Sequence, residues 1–130
     1  DRAISRSSRA AATADFDGDG RLDLVVNNFN GGPFLFRNES RPRAWVGVRL
    51  VGAGKNRDAI GALVRVTAGG RTIVRQVHAA SGYLAQSSLA LHVGLGDATR
   101  IDRCEIRWPD GSTQVVPDLA PGRWHTVRQP

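Results

Sequence analysis

The residues Asp15-Phe16-Asp17-Gly18-Asp19-Gly20-Arg21-Leu22-Asp23 carry the most legible chemistry of the chain. Counting Asp15 as position 1, carboxylates fall at positions 1, 3, 5 and 9, and the carbonyl of Arg21 at position 7. Gly18 and Gly20 let the backbone bend so that alternate side chains converge. A hard divalent cation taking about six to eight oxygens fits this donor set, and Ca2+ suits it better than Mg2+. Asp15, Asp17, Asp19 and Asp23 are therefore the expected side-chain ligands, joined by the Arg21 carbonyl. Without an ion, four clustered negative charges repel one another; the alternative is a solvated acidic turn. The spacing follows an EF-hand loop as far as Gly20 and then departs, because position 12 is Val26 where that loop has a bidentate Glu. Residues 22–26 read as a strand rather than an exiting helix, so the expectation is a calcium loop built into a β-hairpin.

Strands must flank such a loop to hold it. Residues 10–14 can enter it and 22–27 leave it. The turn signal Asn30-Gly31-Gly32-Pro33 then leads to a third short strand at 34–37. Asn38-Glu39-Ser40 is a glycosylation sequon that in a bacterial chain is simply polar linker. Residues 40–44 form a boundary. Beyond it, short apolar runs recur at roughly ten-residue spacing between Gly, Pro and Asp turns, at 45–51, 60–67, 72–78, 89–94, 101–108, 113–116 and 124–127. Val46, Val48 and Leu50 share one face of the first of these runs. Such a series predicts a sandwich or barrel, and no run keeps a 3.6-residue period over three turns, so almost no helix is expected. Trp45, Trp108 and Trp124 read as core or edge packing rather than an exposed sugar platform, with Trp108 shielding the hairpin end at Pro109-Asp110-Gly111.

Composition excludes several classes. The 130 residues, 41% of them hydrophobic, suffice for one solid core or a small domain with an appendage. No stretch approaches the roughly 18 continuous apolar residues of a membrane span. The net charge of +6 comes from 17 Arg and a single Lys scattered singly along the chain. That pattern is a solvated cationic surface, without the clustering or motif of a nucleic-acid module, though it can attract anionic glycans. The preference for Arg over Lys points to a GC-rich, bacterial source. Cys104 is the one cysteine, which excludes an internal disulfide and reads as a buried thiol. His78, His92 and His125 stand 14 and 33 residues apart, without zinc-site spacing. Gly52-Ala53-Gly54-Lys55 lacks the upstream glycine and the Ser/Thr of a phosphate loop. Two polar loops are candidate ligand sites: Asn56, Arg57 and Asp58, and Tyr83 with Gln86. Each has a structural alternative, namely Asx bonds with an Arg–Asp pair in the first and an anchored phenol in the second.

The acidic loop, followed by Val25-Val26-Asn27-Asn28 and Gly31-Gly32-Pro33, resembles a bacterial FG-GAP (VCBS-type) repeat, the calcium-loop blade of integrin-α-like propellers. Asn56-Arg57-Asp58-Ala59-Ile60-Gly61-Ala62, Ser81-Gly82-Tyr83-Leu84-Ala85-Gln86-Ser87, Leu91-His92-Val93-Gly94-Leu95-Gly96 and Arg107-Trp108-Pro109-Asp110-Gly111 together resemble the ASPIC/UnbV domain. In that family the domain follows such repeats at the C-terminus of secreted proteins related to cartilage acidic protein. The expectation is an all-β chain: a linker or broken-off strand at 1–9, one partial propeller-type blade at 10–39, and a β-sandwich-like domain of about seven strands at 44–128. Asp1 is not a natural start, so the chain is expected to be the C-terminal piece of a longer protein. A lone blade leaves faces and edges open, which implies upstream repeats as partners. The function implied is a non-enzymatic, calcium-binding module, secreted, periplasmic or on the cell surface, for protein or glycan binding. The alternatives are an accessory or enzymatic role in enediyne-type biosynthesis, which UnbV-type proteins imply, and a purely structural cap of an upstream propeller.

Overall fold

A computed structural model describes residues 7–130, and every regular element among them is a strand. The chain divides into two units. One comprises the chain through Arg41 together with Ala80–Ser88, the other Pro42–Ala79 with Leu89–Pro130. The loop Ala80–Ser88, expected within the second domain, thus counts with the first.

In the first unit β1 (Ser8–Ala14), β2 (Asp23–Asn28) and β3 (Gly31–Phe36) form an antiparallel sheet in that order. The β-branched pair Val25-Val26 in the middle strand is what a paired strand favours. Of the segment 1–9, expected as a linker or broken-off strand, Ser8 and Arg9 lie in β1, where the Ser8 hydroxyl donates to Asn28 Oδ1 at 2.9 Å. Residues 1–6 of that segment lie outside the described residues. One detail differs from expectation: the chain reverses at Phe29-Asn30, with Asn30 at φ 50, so Gly31-Gly32-Pro33 belongs to β3 and not to the turn. Asn tolerates the left-handed region, and β3 is an edge strand, the place in a sheet where proline is accommodated.

The second unit holds β4 (Ala44–Val51), β5 (Leu63–Ala68), β6 (Arg71–Gln76), β7 (Leu91–Gly96), β8 (Arg103–Arg107), β9 (Thr113–Val116) and β10 (Trp124–Arg128). They make two sheets, β10-β4-β7 and β6-β5-β8-β9. All pairings are antiparallel except β10 on β4, which is parallel, setting Trp124 beside Gly47 and Thr126 beside Arg49. Alternate residues face inward from both sheets: Val46, Val48 and Leu50, Val64 and Val66, Leu91, Val93 and Leu95, Cys104 and Ile106 share one core. This is the sandwich of seven strands that the alternation predicts. Trp108 is 2% exposed at the β8–β9 reversal; its Nε1 donates to Gln114 Oε1 at 3.1 Å, and its carbonyl accepts from Gly111 N at 3.0 Å. The strand expected from residue 60 begins only at Leu63, because Ala59 (φ 52) and Gly61 (φ 92) turn the chain first.

Two outcomes follow from this core. Ile106→Ala, which empties a fully buried site, will lower unfolding stability by roughly 2–5 kcal/mol in urea titrations, whereas exposed Val115→Ala will stay within about 0.5 kcal/mol. Burial pushes the Cys104 thiol up to about 11, so at pH 8 it stays protonated as well as covered. Iodoacetamide will therefore leave the folded protein unlabelled and modify it only in denaturant.

Candidate metal centre

The acidic loop closes on the β1–β2 ladder, in which Ala14 pairs with Asp23. Between them residues 15–22 bend through Gly18 (φ 77) and Gly20 (φ 87), conformations that an L side chain resists. The short carboxylates then bind the backbone ahead of them. Asp17 Oδ1 accepts from Asp19 N at 3.2 Å, Asp19 Oδ1 from Arg21 N at 2.9 Å, and Asp15 Oδ2 from Gly20 N at 3.0 Å. These Asx-type bonds coil the loop and bring one carboxylate oxygen each of Asp15, Asp17 and Asp19 within 4.8 Å of one another.

Such crowding must be compensated. Arg21 Nε donates to Asp19 Oδ2 at 2.9 Å and its Nη1 to the Ser40 carbonyl at 2.7 Å. Arg37 Nη2 meets Asp17 Oδ2 at 2.9 Å. The side-chain bond from Arg21 is the main reason the Asp19 carboxyl is held down to about 2, so it remains ionised far into acid. Asp15 Oδ1 is treated differently: it is buried and, among the described residues, accepts no hydrogen bond. A buried carboxylate oxygen without a donor is costly. An all-oxygen site of converging carboxylates, one of them with an unsatisfied buried oxygen, is chemically suited to a hard dication.

Asp23, expected as the fourth carboxylate ligand, stands apart from that trio. It is 4% exposed; Oδ2 accepts from Phe16 N at 3.0 Å and Oδ1 from Asn38 N at 2.8 Å. Asn38 in turn donates through Nδ2 to the Leu22 carbonyl at 3.0 Å. Asp23 thus ties the loop entrance to the segment after β3. Asn38, read from the sequence as linker, is the residue missed; no local spacing marks a partner 15 positions away. Arg21 uses its guanidinium as well as its backbone, which the ligand pattern alone does not anticipate.

Of the other candidates, Asn56 knits its own loop: Nδ2 donates to the Ile60 carbonyl and Oδ1 accepts from Ile60 N, both at 3.0 Å. Arg57 and Asp58 are exposed, and no Arg57–Asp58 ion pair occurs among the described residues. These three belong to the second unit. Tyr83, 73% exposed, and Gln86 belong to the first, in the loop where Ser87 N donates to Ser81 Oγ at 2.7 Å.

A three-stranded sheet carrying a coiled acidic loop, followed by a seven-stranded sandwich, defines an all-β protein of two units. Residues 8–34 match the FG-GAP repeat, and residues 52–130 match the family described as ASPIC and UnbV. The chain belongs to the ASPIC and UnbV family. It is similar to cartilage acidic protein 1 of Xenopus tropicalis, 32% identical over 112 residues that make up 77% of this chain and 16% of that protein. It is likewise similar to cartilage acidic protein 1 of Homo sapiens, 30% identical over 125 residues, 87% of this chain and 17% of that protein. The chain therefore spans about a sixth of the length of these curated relatives. Domains of these two kinds suggest an extracellular module of the adhesion type. No helix among the described residues is long and apolar enough to cross a membrane.

The two bonds from Asp23 give it a structural weight that a surface ligand lacks. Asp23→Ala will lower the stability of metal-free protein by about 2–4 kcal/mol, since two backbone N–H groups lose a charged acceptor. Asp17→Ala, measured beside it by thermal melts in chelator, will cost less.

Proposed function

We propose that this chain is a non-enzymatic, calcium-binding module of an extracytoplasmic protein, secreted, periplasmic or on the cell surface, that serves protein or glycan binding. The observation that carries the reading is the buried Asp15 Oδ1, without a donor among the described residues and belonging to one of three convergent carboxylates. In this reading Asp15, Asp17 and Asp19 supply side-chain oxygens, Arg21 its carbonyl, and Asp23 braces the loop behind them. The ion's contribution is rigidity: it replaces carboxylate repulsion by a common counter-charge. Exposed Phe29, Leu35 and Phe36 on the blade support further propeller repeats as packing partners.

Arg21 and Arg37 matter to this proposal because each holds a carboxylate that a cation also requires. Their positive charge opposes an incoming dication, and a weak site, with Kd on the order of 10⁻⁴–10⁻³ M, is the consequence. That range is adequate where calcium is near millimolar.

Calcium calorimetry and thermal melts test the proposal. At about 10 mM Ca2+, mass action will add about 1.4–2.7 kcal/mol to stability for the stated affinities. Asp15→Asn will weaken binding about tenfold or more by removing one ligand charge. Arg37→Gln will strengthen it by about threefold to tenfold, by freeing Asp17 and removing a competing cation. The absence of both binding heat and a melting shift at that concentration would remove the basis of the reading.

A further inference from the structure

The outer face of the β10-β4-β7 sheet carries an aromatic corner that the reading of Trp45 and Trp124 as packing residues overlooks. Trp124 lies across Gly47. A Cβ placed on that glycine would sit 2.1 Å from Trp124 Cε3, 2.2 Å from Cδ2 and 2.6 Å from Cζ3. Only a residue without a side chain lets the indole rest flat on the strand. The opposite ring face turns outward, and Trp124 remains 45% exposed. Trp45 stands against it edge-on, with centroids 5.6 Å apart and planes at 62°, and His92 stacks on Trp45 at 5.0 Å and 12°. The result is a floor with a wall.

The next positions along the same face are cationic. Arg49 is one same-face step from Gly47, about 7 Å along β4, and pairs in register with Thr126; Arg128 follows on β10. Both arginines are exposed, and among the described residues neither has an ion-pair partner. β4 is the central strand, with neighbours on both sides, so its backbone offers no edge for strand addition. Recognition on this face must proceed through side chains: a flat ring and two guanidinium groups.

We infer that this face binds an anionic saccharide, one sugar ring stacking its C–H face on Trp124 and a neighbouring carboxylate or sulfate pairing with Arg49 and Arg128. Indole rings accept apolar ring faces, and guanidinium forks match carboxylate and sulfate oxygens. A sugar unit next to the stacked one lies within the reach of the flanking arginines. Single-stranded nucleic acid also stacks on aromatics, but its channels line up successive rings along the strand; here a single open ring has cations to one side. The inference deepens the binding-module reading and rests on it, while using none of the calcium loop.

The test titrates the chain at low salt with a tetragalacturonate and with a sulfated glycosaminoglycan tetrasaccharide, following tryptophan emission and heat. Cellotetraose and an oligodeoxythymidylate serve as comparators. Binding of either anionic tetrasaccharide, weakened about tenfold or more in Trp124→Ala, supports the site. Gly47→Ala, which must lift the ring from the strand while keeping every aromatic residue, will weaken it as well. Arg49→Gln will reduce affinity for the anionic probes severalfold and flatten their salt dependence. Which of the two anionic probes binds separates carboxylate from sulfate recognition. Far-ultraviolet dichroism confirms that each variant is folded, and the surface change Arg49→Gln decides the matter if a tryptophan or glycine variant is not. Cellotetraose binding equal to that of the anionic probes, preference for the oligodeoxythymidylate, indifference to Trp124→Ala in a folded variant, or no saccharide binding would each overturn the inference. Calcium calorimetry on the same preparation judges the module reading separately, so failure of one is not failure of the other.

Discussion

Three carboxylates whose oxygens converge within 4.8 Å impose the constraint around which the first unit is organised. Like charges at that distance do not gather by themselves; the backbone forces them together. Gly18 and Gly20 take left-handed conformations, each aspartate accepts from an amide ahead of it, and the β1–β2 ladder closes the ends. Counter-charge comes from Arg21 inside the loop and from Arg37 just beyond β3. Asp23, one step outside the cluster, spends its charge on two backbone amides and binds the loop to Asn38. Among the described residues, a buried oxygen of Asp15 stays without a donor. The geometry of the blade is thus inseparable from how its negative charge is distributed.

The second unit stands on different physics. Its seven strands bury alternate Val, Leu and Ile side chains in one core, and charge has little part in it. Inward alternation has an outward counterpart. Once Val46, Val48 and Leu50 are committed to the core, Trp45, Gly47 and Arg49 must face away from it. The same parity sends Trp124 and Arg128 outward on β10 and buries Val127. An aromatic and cationic outer face is therefore a by-product of the pattern that makes the sandwich, and its value as a surface depends on what else shares it.

Strand content was readable because period-two alternation is local and strong: β4, β9 and β10 fall within a residue or so of where the runs of apolar residues put them. Legibility failed where a neighbour in space decided the matter. Pro33 reads as a turn residue, yet an edge strand accommodates proline, and the reversal moves to Phe29-Asn30. Asp23 sits at a ligand position of the loop, but Phe16 and Asn38 present it with two amides. Asn56 reads from the sequence as ligand site or loop brace alike; only the fold shows both of its amide atoms bonded to Ile60. Trp45 and Trp124, 79 residues apart, could be weighed from sequence only singly.

By itself, the order of residues determined the all-β character, the loop at 15–23 and the split between an acidic hairpin and an apolar sandwich. Each of these follows from interactions among residues a few positions apart: alternation, turn chemistry and carboxylate spacing. The tertiary structure alone decided that β10 runs parallel to β4, that an indole lies on Gly47, and which of four aspartates turns from the cluster to brace the chain. Those outcomes depend on partners brought together across long sequence separations, and a side chain's role is set by the groups that reach it, which its own neighbours in the chain do not specify.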